Sequence, residues 1–123
     1  MLIVNKSLQD FYISAMAADT EEAETARRYA FARWGEVLCK EVGIGYAPRD
    51  SRHLLNFLRE KCLPEDIVNF LGIVGVNERD GNRYAQLRQR VTIPIRDRFG
   101  RIIGFTGRYI GCLLYTSPSP RDS

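Results

Sequence analysis

The chain has 123 residues, 45% hydrophobic and 27% charged, with a net charge of +3, which fits one ordinary soluble domain. No apolar run approaches the roughly 20 residues that span a bilayer, and the opening "MLIVNKSLQD" lacks the basic n-region and small-residue cleavage site of a signal peptide, so a cytoplasmic protein with no membrane partner is expected. The charge is unevenly placed: residues 1–78 carry nine Lys/Arg against twelve Asp/Glu, whereas residues 79–108 carry eight Arg against two Asp. A local excess made only of arginine points to an anionic partner, nucleic acid first, and a solvated face is the plainer alternative that charge alone leaves open.

In chain order, Ser7 to Ala18 reads as a first helix, because Leu8, Phe11, Tyr12 and Ala15 recur at i, i+3, i+4, i+7. Asp19 or Thr20 caps a second helix, and "EEAE" puts acids at its positive end. Its apolar face runs through Ala26, Tyr29, Ala30, Ala32 and the stem of Arg33 towards Trp34, and Gly35 ends it. A short helix "EVLCKEV" follows, then "GIGYAP", an extended segment closed by Pro48. Asp50 or Ser51 caps a third major helix with Leu54, Leu55, Phe57 and Leu58 turned inward. Pro64 opens a fourth helix running to about Phe70, with Ile67, Phe70 and Leu71 packing inward. "NERDGNR" is a polar turn around Asp80-Gly81, and two strands, Leu87 to Ile95 and Arg101 to Tyr109, close the fold. The class is α+β: a helical N-terminal two-thirds, then a C-terminal antiparallel β-hairpin or small sheet.

Metal chemistry finds little support. Cys39, Cys62 and Cys112 form no CxxC pair and His53 is the single histidine, whereas tetrahedral zinc needs four ligands. Cys39 and Cys62 read as buried thiols of a reducing compartment, and His53 as a surface neighbour of a helix cap. Glu21, Glu22 and Glu24 match a helix dipole, and Asp97, between Arg96 and Arg98, reads as a turn residue. The tail "CLLYTSPSPRDS" shifts abruptly to Ser, Pro and Thr. Cys112 to Asp122 resembles, residue for residue, the translation of a transposase adapter used in sequencing libraries. Residues 1–111 are therefore taken as the domain, part of a longer natural protein, and 112–123 as a disordered appendage.

The last two strands hold the chemistry. Side chains alternate across a strand, so Val91, Ile93 and Ile95 share one face and Arg90, Thr92, Pro94 and Arg96 the other. Pairing Ile95 with Ile103 and Ile93 with Phe105 joins the large apolar groups, and sets Thr92 beside Thr106, Pro94 beside Gly104 and Arg90 beside Arg108. Arg90, Arg96 and Arg108 then share a face with small residues, where a phosphate chain approaches closely. Protection of an edge hairpin against aggregation accounts for one or two such charges, and poorly for eight. Among aromatic residues, Tyr84 and Tyr109 lie near the arginines and are the candidates for base stacking.

"RVTIPIRDRFGRIIGFTGR", Arg90 to Arg108, resembles the signature of bacterial-type DNA primases of the DnaG family, a basic residue before "MFPI-D" and then "G-(V/I)-(V/I)-GFGGR". The match runs through Arg90, Ile93-Pro94-Ile95, Asp97, Gly100, Ile103, Gly104-Phe105 and Gly107-Arg108. Tyr29, Gly35 and Gly45-Tyr46-Ala47-Pro48 are similar to that family's upstream segment, and the resemblance covers about residues 4–110. Thr106 replaces the first Gly of "GGR", and Gln89 stands where many members have Gly or another residue.

The resemblance implies the N-terminal subdomain of a primase catalytic core, between a zinc-binding module and a TOPRIM subdomain. It implies a parent enzyme that synthesises RNA primers for DNA replication, a nucleotidyltransferase, of which this part alone is inactive. The partners implied are single-stranded template DNA and an RNA–DNA hybrid, with a replicative helicase contacted through other regions. Mg²⁺ or Mn²⁺ and zinc are expected in the rest of the parent protein and no cofactor in this part. By motif match Arg88, Arg90 and Arg108 are the template-contact candidates, and Arg96 joins them from the face argument; no catalytic residue is assigned. Two rival readings remain: a non-catalytic nucleic-acid-binding module of a phage or mobile element, and a domain docking an acidic protein.

Overall fold

A computed structural model describes residues 2–63 and 73–111, and the expected fourth helix and the tail lie outside them. The order is α1 (Leu2–Met16), α2 (Glu21–Trp34), α3 (Glu36–Val42), β1 (Gly45–Ala47), α4 (Ser51–Glu60), β2 (Val74–Val76), β3 (Arg83–Ala85), β4 (Arg90–Arg96) and β5 (Ile102–Tyr109). Helices precede most of the strands and every strand pair is antiparallel, an α+β fold.

Helix α1 starts five residues earlier than the Ser7 expected, because its buried stripe is a four-residue repeat, Val4, Leu8, Tyr12 and Met16. Its last carbonyls are met by a cation, as the negative end of a helix favours: Arg27 Nη1 donates to Met16 O at 2.6 Å and Ala18 O at 2.9 Å. The α2 cap is Thr20, whose hydroxyl accepts from Ala23 N at 3.1 Å, and Gly35 ends the helix. Ala26 and Ala30 are buried as expected, but Ala32 and Arg33 are exposed, since the buried stripe continues through Ala23 instead. The α4 cap is Asp50. Its carboxylate accepts from Arg52 N at 2.9 Å and pairs with the Arg52 guanidinium at 2.7 Å, and these bonds hold the carboxyl at about 2.

Cys62 corrects the expectation of a buried thiol. The end of α4 is a Schellman motif, with Cys62 N donating to Arg59 O and Leu63 N to Leu58 O. The motif puts Cys62 in the left-handed region, φ 52°, and turns its side chain out to solvent. Cys39 is buried as expected, and burial raises its thiol pKa.

The sheet runs β1-β4-β5, with β4 in the middle, and β2-β3 form a separate hairpin. Neighbouring β1 residues point to opposite faces, and they enter different cores. Ala47 joins Val4, Leu8, Tyr12, Leu54 and Leu58, whereas Tyr46 joins Met16, Ala26, Ala30 and Val91. The sheet is thus covered by α1 and α4 on one side and by α2 and α3 on the other. Contact with α1 is close at Gly45, where a β-carbon would sit 2.5 Å from the Tyr12 carbonyl carbon. The polar turn around Asp80-Gly81 is in place, but the strands flanking it, β2 and β3, are three residues each.

The β4–β5 register differs from the expected one by a single residue. Arg90 pairs with Tyr109, Val91 with Arg108, Ile93 with Thr106, Pro94 with Phe105 and Ile95 with Gly104, and a bulge follows at Ile95/Arg96. The expected pairing assumed that β4 buries one face. As the central strand it buries both, with Val91 0% and Thr92 1% exposed. Phe105 therefore turns to the α1 side, edge-on to Tyr12 at 5.2 Å between ring centres. Among the described residues the Thr92 hydroxyl oxygen has no hydrogen-bond partner. A buried hydroxyl without a partner is costly, so Thr92→Val is expected to stabilise the fold by about 1 kcal/mol. Thermal unfolding would register this as a Tm several degrees higher; a lower Tm would show that the hydroxyl is bonded.

Candidate nucleic-acid interface

The site is built around the entry to β4. Gln89 takes a left-handed backbone, φ 54°. Two bonds hold it there: Gln89 N donates to Ala47 O and Ile110 N to Gln89 O, each at 2.8 Å. In a regular strand Gln89 would point away from Arg88 and Arg90. The left-handed step lets all three line one groove, of about 360 Å³, with Arg49, Gln86 and Tyr109. Glycine tolerates this conformation best, so Gln89→Gly is sterically compatible with the observed backbone.

Both groove arginines on this step lean on tyrosines. The Arg88 guanidinium carbon lies 5.4 Å from the centre of the Tyr84 ring, and that of Arg90 lies 5.4 Å from the centre of the Tyr109 ring. Neither guanidinium makes a hydrogen bond or ion pair among the described residues. A guanidinium backed by a ring and free of ion pairs keeps its N–H donors available, and its planar fork suits phosphate oxygens. Gly107 allows the Arg90 stem to lie across the sheet, since a β-carbon there would sit 2.9 Å from the Arg90 β-carbon.

The other two sequence candidates are placed elsewhere. Arg108 pairs with Val91 and so lies on the opposite face from Arg90, exposed and with no side-chain hydrogen bond or ion pair among the described residues. The expected face shared by Arg90, Arg96 and Arg108 does not form, because the one-residue shift moves Arg108 across the sheet. Arg96 is at the far end of the strand, about 20 Å from Arg90 at some 3.3 Å per residue. Its Nη1 donates to Gly100 O at 3.0 Å and its Nη2 to Val42 O at 3.4 Å, so it ties the hairpin end to the last carbonyl of α3. Arg49 was missed from sequence. It stands some 40 residues before Arg90 and reaches the groove because β1 pairs with β4 at Ala47↔Arg90.

Asp97 is a turn residue, as its position implied. Its carboxylate accepts from Phe99 N at 2.9 Å, from Arg101 N at 3.0 Å and from Arg101 Nε at 2.8 Å. Desolvation alone would raise its pKa, but the bonds from Arg101 and Phe99 together outweigh it and hold the carboxyl below its usual range. Glu21, Glu22 and Glu24 occupy the first turn of α2. Among the described residues no three His, Cys, Asp or Glu come together as a metal-binding group, and no helix is long and apolar enough to cross a membrane.

Comparison with known proteins bears on this geometry. The sequence matches the family described as DNA primase catalytic core, N-terminal domain, over residues 11–117. It is 32% identical over 122 residues to the DNA primase of Staphylococcus aureus strain COL, covering 98% of this chain and 19% of that protein. The RNA polymerase domain of Mycobacterium tuberculosis primase DnaG, solved with a double-stranded DNA oligomer carrying a 6-nucleotide overhang, superposes with a TM-score of 0.78 at 25% identity, over 97% of this chain and 35% of that one. A DnaG primase catalytic domain bound to ssDNA gives 0.68 at 26% identity, over 97% and 36%. The Aquifex aeolicus primase, solved as its zinc-binding and RNA polymerase domains, gives 0.74 at 28% identity, over 97% and 27%. This chain therefore belongs to the family of DNA primase catalytic core N-terminal domains.

Proposed function

We propose that residues 1–111 are the template-holding part of a DNA primase, gripping single-stranded DNA or an RNA–DNA hybrid in the Arg88–Arg90 groove. The observation that carries this reading is the pair of tyrosine-backed arginines projecting into one groove with Arg49. The likeness to a primase domain solved with ssDNA supports it. Arginine N–H groups take the phosphates, and the exposed Tyr109 ring offers a surface to a base. Arg108 contributes from the other face of the sheet, and Arg96 acts on binding through the shape of the hairpin end. Residues 112–123 form no part of the grip.

The chain spans 19% of the S. aureus primase. In this reading the carboxylates that hold Mg²⁺ or Mn²⁺ for primer synthesis, the zinc module and any helicase contact belong to other parts of a cytoplasmic primase polypeptide. The chain presented here binds and orients template and forms no bond itself.

Titration of the chain with a labelled single-stranded oligonucleotide at several salt concentrations tests the reading. Affinity should fall with salt, with a log–log slope of about −0.7 for each phosphate contacted, so about −2 for three arginines. A polyglutamate peptide of the same charge should compete poorly. Equal competition by the peptide would favour the acidic-protein reading, and absence of oligonucleotide binding would sink the proposal.

A further inference from the structure

The tip of the β4–β5 hairpin carries a second cation–aromatic arrangement. Phe99 is 68% exposed. The guanidinium carbons of Arg98 and Arg101 each lie 5.0 Å from its centre. The turn beneath is fixed by the Asp97 carboxylate bonds to Phe99 N and Arg101 N, and by Gly100 at φ 82°. Arg101 is paired with Asp97, whereas Arg98 has no hydrogen bond or ion pair among the described residues. A solvated turn would need neither the exposed ring nor its two flanking cations. A ring that stacks on a base between two phosphate contacts needs both.

We propose that this tip is a second contact for single-stranded nucleic acid, with Phe99 stacking on a base and Arg98 on a neighbouring phosphate. Seven residue steps along β5 separate Tyr109 from Ile102, about 23 Å at some 3.3 Å per residue. A strand of roughly seven nucleotides spans that distance at about 3.4 Å each, and fewer are needed if it is stretched. β5 is the edge strand of the sheet, so a nucleic acid leaving the groove can follow its open edge to the tip. The tip extends the grip proposed for the groove, and it uses different residues, so the two can be tested apart.

The test compares the full chain with Phe99→Ala, Arg98→Ala and Arg90→Ala on oligonucleotides of about 5 and about 15 nucleotides, short and long against the span above. NMR titration reads the weaker binding of the short one. Phe99→Ala should weaken the long oligonucleotide by about tenfold and leave the short one unchanged. Arg98→Ala should flatten the salt slope of the long oligonucleotide by about 0.7. Phe99→Trp should keep full affinity, with emission that changes only on adding the long oligonucleotide, read above the constant signal of Trp34. The tip proposal is overturned if Phe99→Ala leaves the long oligonucleotide unaffected, or weakens both lengths alike. A failure of the groove reading looks different: Arg90→Ala would leave the short oligonucleotide untouched while the Phe99 difference persists.

Discussion

Replacing Arg88 and Arg90 together with alanine is expected to weaken binding of single-stranded DNA by about 10- to 100-fold at moderate salt, with a log–log salt slope flatter by about 1.4. Each guanidinium is held against a tyrosine and makes no ion pair among the described residues, so its donors are directed to a ligand and not to the fold. The same substitutions remove two cation–π contacts, worth about 0.5–1 kcal/mol each at exposed sites. Stability should therefore fall modestly while affinity falls steeply. Lysine at both positions separates charge from shape. It should restore the salt slope, because the charge returns, but recover only part of the affinity, because an ammonium neither stacks flat nor forks onto phosphate. Fluorescence anisotropy across a salt series, with a melting curve for each variant, measures both quantities. Unchanged affinity in a folded double variant would remove the groove from the account of function.

Gly45→Ala is expected to cost about 3 kcal/mol and to lower Tm by roughly 10–15 °C. The added methyl would stand 2.5 Å from the Tyr12 carbonyl carbon and 2.7 Å from its oxygen. Those are backbone atoms inside α1, so no side-chain rotation relieves the clash, and α1 must move off β1 as a unit. With a total stability of about 5–15 kcal/mol for a domain of this kind, that is a large fraction. Gly104→Ala is the control: it adds the same methyl to open space on the same sheet and should shift stability by less than about 0.5 kcal/mol. Equal melting temperatures for the two variants would contradict the close seat of α1 on β1.

What the sequence made legible was local. The caps at Thr20 and Asp50, the stop at Gly35 and the Asp97 turn each rest on interactions within a few residues, and each is where the residue types placed it. The three-residue strands β1, β2 and β3 are too short to show a period of two. The β4–β5 register failed for a related reason. Matching large apolar residues on one face is sound for a strand with one covered face, but Val91 and Thr92 are both enclosed once β1 pairs on the far side and helices cover both faces. The expected register also set Arg90 against Arg108, two like charges side by side. The observed one gives Arg90 the Tyr109 ring and sends Arg108 across the sheet. The arginine cluster and both tyrosines were visible as a composition; which arginine meets which ring depended on pairings made far apart in sequence. Phe99 and Arg49 escaped notice because one is an apolar residue in a turn and the other sits two residues past β1.

The middle position of β4 also bears on time. A strand bonded on both edges and enclosed on both faces opens only when much of the domain opens with it, so its amide protons exchange with solvent late. Arg90 is the first residue of that strand. Its backbone therefore belongs to the slowest-opening part of the molecule, whereas the hairpin tip extends past the last paired residues. A nucleic acid arriving at the groove meets a backbone set by the whole domain, and one arriving at the tip meets a turn set by its own local bonds.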